Sequence, residues 1–298
     1  MLGGSLSSQP LTIASVADLL QCPSCAGLLV VGDTALVCVE CRGTVPVTGR
    51  TVAFEPPRVD IVPSKLKPRG PEYGTAWRRA NWAFYDRAGK ETRPDDVVID
   101  VGAGRADLKP LFAHSRYHAV DVYDYPEVDI VGDASRQRFL RTAAADAIVL
   151  SNVLEHLSYP REMLIDLFRV LKPGGRLYMA VPFLIKLHQI PVDCGRYTHF
   201  VLGEFFAGAG LDVVRAEAVY TPFTMARSHV ENALFWPGES SAFSRIVGRA
   251  MALQLRVAQR LARVRDPIVH AVDRIADLPA TGPHAFPAGY HFVLRRQD

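Results

Sequence analysis

The sequence predicts an α/β fold, doubly wound around a mostly parallel seven-stranded sheet, with a small metal-binding β module at the N-terminus and a helical insertion before the last strand. Three observations lead there. Short β-branched runs alternate with helix-compatible segments from about residue 95 onward; the first run ends in a glycine turn; and four of the five cysteines fall as two C-x-x-C pairs near the start.

The chain has 298 residues, 49% of them hydrophobic and 22% charged, which suffices for one large domain plus a small module. A net charge of +3 is too small on this length to announce a nucleic-acid partner. Only six of the 34 basic residues are lysines, so local arginine density says little about function. Residues 1–10 have neither a basic n-region nor a long apolar stretch, and no run approaches the roughly 18 apolar residues of a membrane-spanning helix. The expected location is therefore cytoplasmic, with the cysteines reduced unless a metal holds them.

Cys22, Cys25, Cys38 and Cys41 form two knuckles separated by twelve residues. Each knuckle can aim two thiolates at one Zn²⁺, and four thiolates close a structural site with no open position. Two short strands between them, 28–31 and 35–37, turn at Gly32-Asp33. A metal would supply much of the folding free energy of so short a segment. Residues 18–55 are thus expected to be a zinc ribbon, preceded by a flexible N-terminus over 1–17. They are followed by a proline-rich linker over 56–71, and the main domain begins at 72. The stretch 19–54 resembles the small zinc-ribbon proteins that activate RNA and protein methyltransferases as partner subunits, here in cis. It is also similar to the N-terminal finger of some ribosomal-RNA guanine methyltransferases, which carry a histidine in place of the fourth cysteine.

In the main domain, residues 97–101 read as a buried strand feeding the turn Gly102-Ala103-Gly104 and then a helix over 105–113. A dinucleotide fold would need a third glycine where Asp107 stands, and a carboxylate there would face a pyrophosphate. NAD is therefore disfavoured. A second strand ends in Asp121, whose carboxylate can accept both hydroxyls of a ribose. A third strand, 128–131, leads into Gly132-Asp133-Ala134, and a fourth, 146–150, into Ser151-Asn152. A turn at 172–175 opens a fifth strand, 176–181; residues 211–220 and 290–295 read as the sixth and seventh.

The series DVGAGRAD, AVDV, GDA, DAIVLSNVLEHL and LKPGGRLYMAVP resembles the successive motifs of class I S-adenosylmethionine-dependent methyltransferases, especially those acting on small molecules, lipids and sugars. The resemblance implies that Asp100, Gly102 and Gly104 border the methionine part of the donor, Asp121 the ribose, Asp133 and Ala134 the adenine. Ser151 and Asn152 would line the methionine end. Ala106 departs from the family, where many members have a glycine. The last two strands would form an antiparallel pair.

Methyl transfer from a sulfonium is an in-line displacement that chiefly needs alignment and exclusion of water; an alcohol acceptor also needs a base. The loop after the fifth strand supplies candidates. His188 is the expected base and Asp193 its orienting partner, within HQIPVDCGRYTHF, which resembles a recurrent post-strand motif of the family. The competing reading is that Asp193 pairs with Arg196 to stiffen the loop and His199 caps the next helix. His156 is a rival base that could equally be a packed histidine. Without N/D-P-P-Y at the fourth strand, exocyclic nucleobase amines are disfavoured as acceptors.

About seventy residues separate the last two strands, and a helical insertion is expected over 222–286. On a helical wheel over 244–264, Arg245, Arg249, Arg256, Arg260 and Arg263 fall within roughly 60° of arc opposite a broad apolar face. Such a helix can lie on the inner face of an anionic membrane or cover a lipid-like substrate; the alternative is a lid packed on its own domain. Upstream, Tyr73, Trp77, Trp82, Phe84 and Tyr85 form an aromatic helix that either closes over the donor or belongs to the core. The expected function is transfer of a methyl group to a small-molecule, saccharide or glycolipid acceptor, on oxygen. The alternatives are an RNA methyltransferase holding substrate with the ribbon and a non-catalytic scaffold that docks protein partners through it.

Overall fold

The computed structural model describes residues 12–58, 76–185, 187–219 and 287–297. The N-terminal segment before Thr12, most of the expected linker with Tyr73, and the insertion with its basic helix at 244–264 lie outside the described residues. Among the described residues no helix is long and apolar enough to cross a membrane.

After a short helix α1 (Ile13–Ala17), capped by Thr12, come four short strands: β1 (Leu29–Val31), β2 (Ala35–Cys38), β3 (Thr44–Thr48) and β4 (Thr51–Ala53). The main domain runs α2 (Ala76–Glu91), β5 (Val97–Val101), β6 (Arg116–Asp121), β7 (Ile130–Val131), β8 (Ala145–Ser151), α3 (Pro160–Val170), β9 (Leu171–Pro182), α4 (His199–Ala209), β10 (Leu211–Val219) and β11 (Gly289–Arg296). The strands order as β7-β6-β5-β8-β9-β11-β10, parallel through β9 and antiparallel at β11 and β10. Every residue of β5 is buried, as a parallel strand covered on both faces requires.

The sheet is larger than the seven strands expected. β4 runs parallel to β7, with Val52 opposite Ile130 and Ala53 opposite Val131, so the cysteine module extends one continuous eleven-stranded sheet. A second seam backs the first: Leu20 bridges Leu140, and Gln21 N donates to the Phe139 carbonyl at 2.8 Å. Leu20, Leu36 and Val52 are fully buried in the same core as Ile130 and Phe139, while Phe54 stacks on Phe139 at 4.5 Å. The module therefore does not depend on its own small core, and the linker's first residues are pinned, Arg58 N donating to the Val122 carbonyl at 2.9 Å.

Two further expectations change. No α-helix follows the glycine turn: residues 102–108 make successive turns and Lys109–Phe112 a single 3₁₀ turn. Ala106 sits at φ +51°, which breaks helical continuity, and Pro110 removes a donor. The third strand shortens to Ile130 and Val131, because the Asp129 side chain turns inward to accept from Ala119 N at 2.9 Å.

Candidate functional site

Two sites emerge, one in the cysteine module and one at the carboxyl ends of β5, β6 and β8. In the module the two knuckles repeat one backbone pattern. Ala26 N donates to the Cys22 carbonyl and Arg42 N to the Cys38 carbonyl, and Ala26 and Arg42 have φ of +59° and +62°. Cys22 N and Cys38 N donate to the carbonyls of Gly27 and Gly43. The four sulfurs lie within 4.8 Å of one another, with Cys22 to Cys41 at 3.6 Å and Cys25 to Cys38 at 3.5 Å, and none is in a disulfide. A tetrahedral Zn²⁺ with Zn–S of about 2.3 Å puts its sulfurs about 3.8 Å apart, so the donor set fits.

The second site is a cavity of about 450 Å³, lined among others by Gly102, Gly104, Asp121, Asp133, Ala134 and Asn152. The glycine turn forms its floor. Gly102 has φ +72°, and a Cβ there would come within 2.4 Å of Val153; Gly104 has φ +56°, and a Cβ there would meet nothing within 4 Å. Asp121, at the end of β6, accepts from Gly104 N at 2.7 Å and from Tyr123 N at 2.9 Å. Burial nevertheless raises its carboxyl above the usual range. Asp133 accepts from Ser135 N at 3.0 Å and is paired with Arg58 at 3.1 Å and Arg136 at 3.4 Å.

Asn152 has φ +54° and accepts from Trp77 Nε1 at 2.9 Å, which ties the aromatic helix α2 to the cavity wall. Phe84 and Tyr85 of the same helix are core residues. Asp100 and Ser151 do not line the cavity. Asp100 is buried on the opposite face of β5, hydrogen-bonded by the Tyr117 hydroxyl, and burial pushes its carboxyl up to about 7. Ser151 stands beneath Asn152, accepting from its Nδ2 at 3.2 Å.

On the acceptor side, His156, Tyr159, Gln189, Pro191, Val192 and Cys194 complete the wall. Tyr159, 70% exposed, marks the mouth. Asp193 does both things considered for it. It accepts two hydrogen bonds from Arg196, at 2.5 and 2.9 Å, and also lies 3.2 Å from His188 Nδ1. The Arg196 hydrogen bonds hold its carboxyl down at about 2. Thr198, not His199, caps α4. His188 is absent from the wall and sits behind it, its ring edge-on to that of His156 at 4.8 Å. The base expected from sequence is thus one layer removed from the cavity, and His156 faces it.

Residues that sequence reasoning did not single out include Arg58, hidden in a proline-rich stretch, and Glu155. Glu155 is fully buried, its carbonyl accepting from Cys194 N at 2.7 Å and Gly195 N at 2.9 Å. A glutamate between Leu154 and His156, inside an apolar stretch, was the one available signal.

The family described as a methyltransferase domain matches residues 73–216. No curated protein matches the chain. Among solved structures, a complex of the Haloferax volcanii Trm112 methyltransferase activator is 23% identical over 47% of this chain and 73% of its own, with a TM-score of 0.39. The 4+2 cyclase SpnF is 17% identical over 77% of this chain and 85% of its own, with a TM-score of 0.46. The Burkholderia thailandensis 1,6-didemethyltoxoflavin-N1-methyltransferase, with bound 1,6-didemethyltoxoflavin and S-adenosylhomocysteine, is 16% identical over 75% of this chain and 79% of its own, with a TM-score of 0.44. At these identities and scores no substrate or residue role carries across.

Proposed function

We propose that this chain, whose residues 73–216 match a methyltransferase domain, is an S-adenosylmethionine-dependent methyltransferase that methylates an oxygen of a small molecule, a saccharide or a lipid-linked acceptor. The observation that carries this reading is the convergence of Gly102, Gly104, Asp121, Asp133 and Asn152 on one cavity at the carboxyl ends of the strands. When bound, S-adenosylmethionine supplies an electrophilic methyl on a sulfonium. Gly104 leaves room for the donor, Asp121 takes the ribose hydroxyls, Asp133 and Ala134 meet the adenine, and Asn152, fixed by Trp77, borders the methionine end. Asp100 and Ser151 act from below by supporting β5 and Asn152.

Acceptor binding falls to the wall from His156 to Tyr159 and from Gln189 to Cys194. Tyr159, 70% exposed at the mouth of the cavity, suits an acceptor with an apolar body. His156 is the histidine that can touch it. His188, held by Asp193, acts through His156 and Glu155 as a positioning residue. The cysteine module holds a structural Zn²⁺ at Cys22, Cys25, Cys38 and Cys41, and it docks on the sheet in the manner of a fused activator subunit.

The test is transfer of labelled methyl from S-adenosylmethionine into an extract of host cells lacking this gene, followed by partition. Label in the lipid or metabolite fraction is expected. Label in RNA overturns the acceptor class, and a zinc-loaded protein that labels no fraction and binds no donor points to a scaffold.

A further inference from the structure

Asn152 enters the cavity wall from an uncommon backbone. Its φ of +54° is one that asparagine adopts at lower cost than most residues, and its N–H donates to the Ala180 carbonyl at 3.0 Å. A side-chain amide can offer a ligand either its oxygen or its nitrogen, so its use depends on which way it is held.

Two elements build the support behind it. Trp77 and Asn81 stand one turn apart on α2, and Gly289 and His291 stand two residues apart on β11, so each pair shares a face. The Trp77 ring lies over Gly289, where a Cβ would come within 2.5 Å of Cη2, and stacks on His291 with centroids 5.3 Å apart. Phe84 also stacks on His291, at 4.5 Å. Asn81 and His291 are both buried, although neither is apolar.

The hydrogen bonds among these residues run in one direction. Trp77 Nε1 can only donate; it lies 2.9 Å from Asn152 Oδ1 and 3.2 Å from a terminal atom of the Asn81 amide, so both of those atoms are oxygens. In that orientation Asn81 Oδ1 also accepts from Asn152 Nδ2 at 3.2 Å, while Asn81 Nδ2 donates to the Trp77 carbonyl at 3.3 Å and to His291 Nε2 at 2.7 Å. His291 therefore accepts at Nε2, as a neutral imidazole protonated at Nδ1 does. Burial, helped by Arg87, keeps the ring neutral by lowering its pKa to about 3. Asn152 Nδ2 gives its other proton to Ser151 Oγ at 3.2 Å. Both protons of the Asn152 amide are thus committed within the protein, and what remains to it is acceptor capacity on Oδ1.

We propose that Asn81 and His291 are positioning residues that, with Trp77, hold the Asn152 amide as a hydrogen-bond acceptor for the cationic amino group of the donor's methionine portion. An acceptor at this place favours an ammonium and disfavours a carboxylate, which would set two acceptors against each other. His291 acts from two hydrogen bonds away. Without an acceptor at Nε2, the Asn81 amide can turn over, and its oxygen no longer fixes Asn152 Nδ2. The ligand in this assignment rests on the methyltransferase reading; the hydrogen-bond chain does not.

Calorimetry on the full chain tests the assignment, with S-adenosylmethionine beside 5′-methylthioadenosine, which keeps the adenosine and lacks the amino-acid chain. His291→Phe preserves an aromatic ring between its neighbours and removes the acceptor; Asn81→Leu removes the link itself. Each variant should bind S-adenosylmethionine about five- to tenfold more weakly than the wild type and methylthioadenosine within about twofold, in keeping with the loss of one or two hydrogen bonds. A general disturbance of the cavity would weaken both ligands alike. If the buried substitutions fail to fold, Trp77→Phe at the partly buried indole removes the donor to Asn152 and reads the same split. Unchanged affinity for S-adenosylmethionine, or parallel losses for the two ligands, overturns the proposal and leaves the donor cavity standing. A folded wild type that binds neither ligand removes the methyltransferase reading, and this assignment with it.

Discussion

Arg58 Nη2 lies 3.1 Å from Asp133 Oδ2, so the segment leaving the cysteine module contributes to the wall of the cavity at the ends of β5, β6 and β8. The aspartate side chain is 9% exposed and the arginine 35%, which makes this a partly screened pair. Replacing Arg58 by alanine leaves Asp133 with Arg136 and loosens its aim. Donor affinity is expected to fall about two- to fivefold, in keeping with about 0.5–1 kcal/mol for such a pair, with metal content unchanged. Calorimetry on Arg58→Ala and wild type measures this; equal affinities would show that the link is not felt in the cavity.

The shared core makes a second prediction. Leu36 and Val52 are buried with Ile130 and Phe139, so the cysteine module and the main sheet should unfold together. Chelation of the proposed zinc, or Cys38→Ser, is expected to lower the one main melting transition by at least about 5 °C, given roughly 2–4 °C per kcal/mol at this size. Scanning calorimetry with and without chelator reads it. An early, minor transition with an unchanged main peak would mean that the module melts alone.

Gly102 and Gly104 share a left-handed conformation but differ in surroundings. A methyl on Gly102 would lie 2.4 Å from Val153, whereas one on Gly104 would meet no protein atom within 4 Å and would stand in the cavity. Gly102→Ala should therefore cost about 2–4 kcal/mol of stability, combining overpacking with backbone strain. Gly104→Ala should cost about 1–2 kcal/mol and weaken the donor at least tenfold. Denaturant titration beside calorimetry separates the two; equal losses in both variants would contradict the assignment.

These contrasts show what was legible in the sequence. The strands were, because Val97 to Val101 and Asp146 to Leu150 are compact runs bounded by turns, and local chemistry decides them. The knuckles were, because two C-x-x-C pairs twelve residues apart on a short hairpin can bring four thiols to one point. The parallel pairing of β4 with β7 was not. Thr51 to Ala53 is a three-residue strand whose partner lies some eighty residues away, and such register has no local signature. The missing helix turned on Ala106 at φ +51°, a conformation that sequence rules do not expect of alanine. His188 and Asp193 lie 3.2 Å apart, yet which histidine ring faces the cavity depends on the fold of the 187–196 loop against Glu155 and was not legible.

Burial of Asp100 yields a pH prediction. Its carboxyl titrates at about 7 in the folded chain, against about 4 when unfolded. Between these values the folded state binds the extra proton, so this group's contribution to stability declines as pH rises from about 4 to 7 and stays at its lowest above. Asp100→Asn removes that slope. Denaturation at a series of pH values should find the variant gaining on the wild type with rising pH; parallel profiles would show that Asp100 keeps an ordinary carboxyl.

The cavity at the ends of β5, β6 and β8 is proposed to hold S-adenosylmethionine with Asp121 on the ribose. Calorimetric titration of the zinc-loaded full chain and of Asp121→Ala tests it most directly. One equivalent of donor should bind the wild type, and the variant should lose at least tenfold in affinity. A zinc-loaded, folded wild type that takes up no donor, or a variant that binds as well as the wild type, would contradict the account.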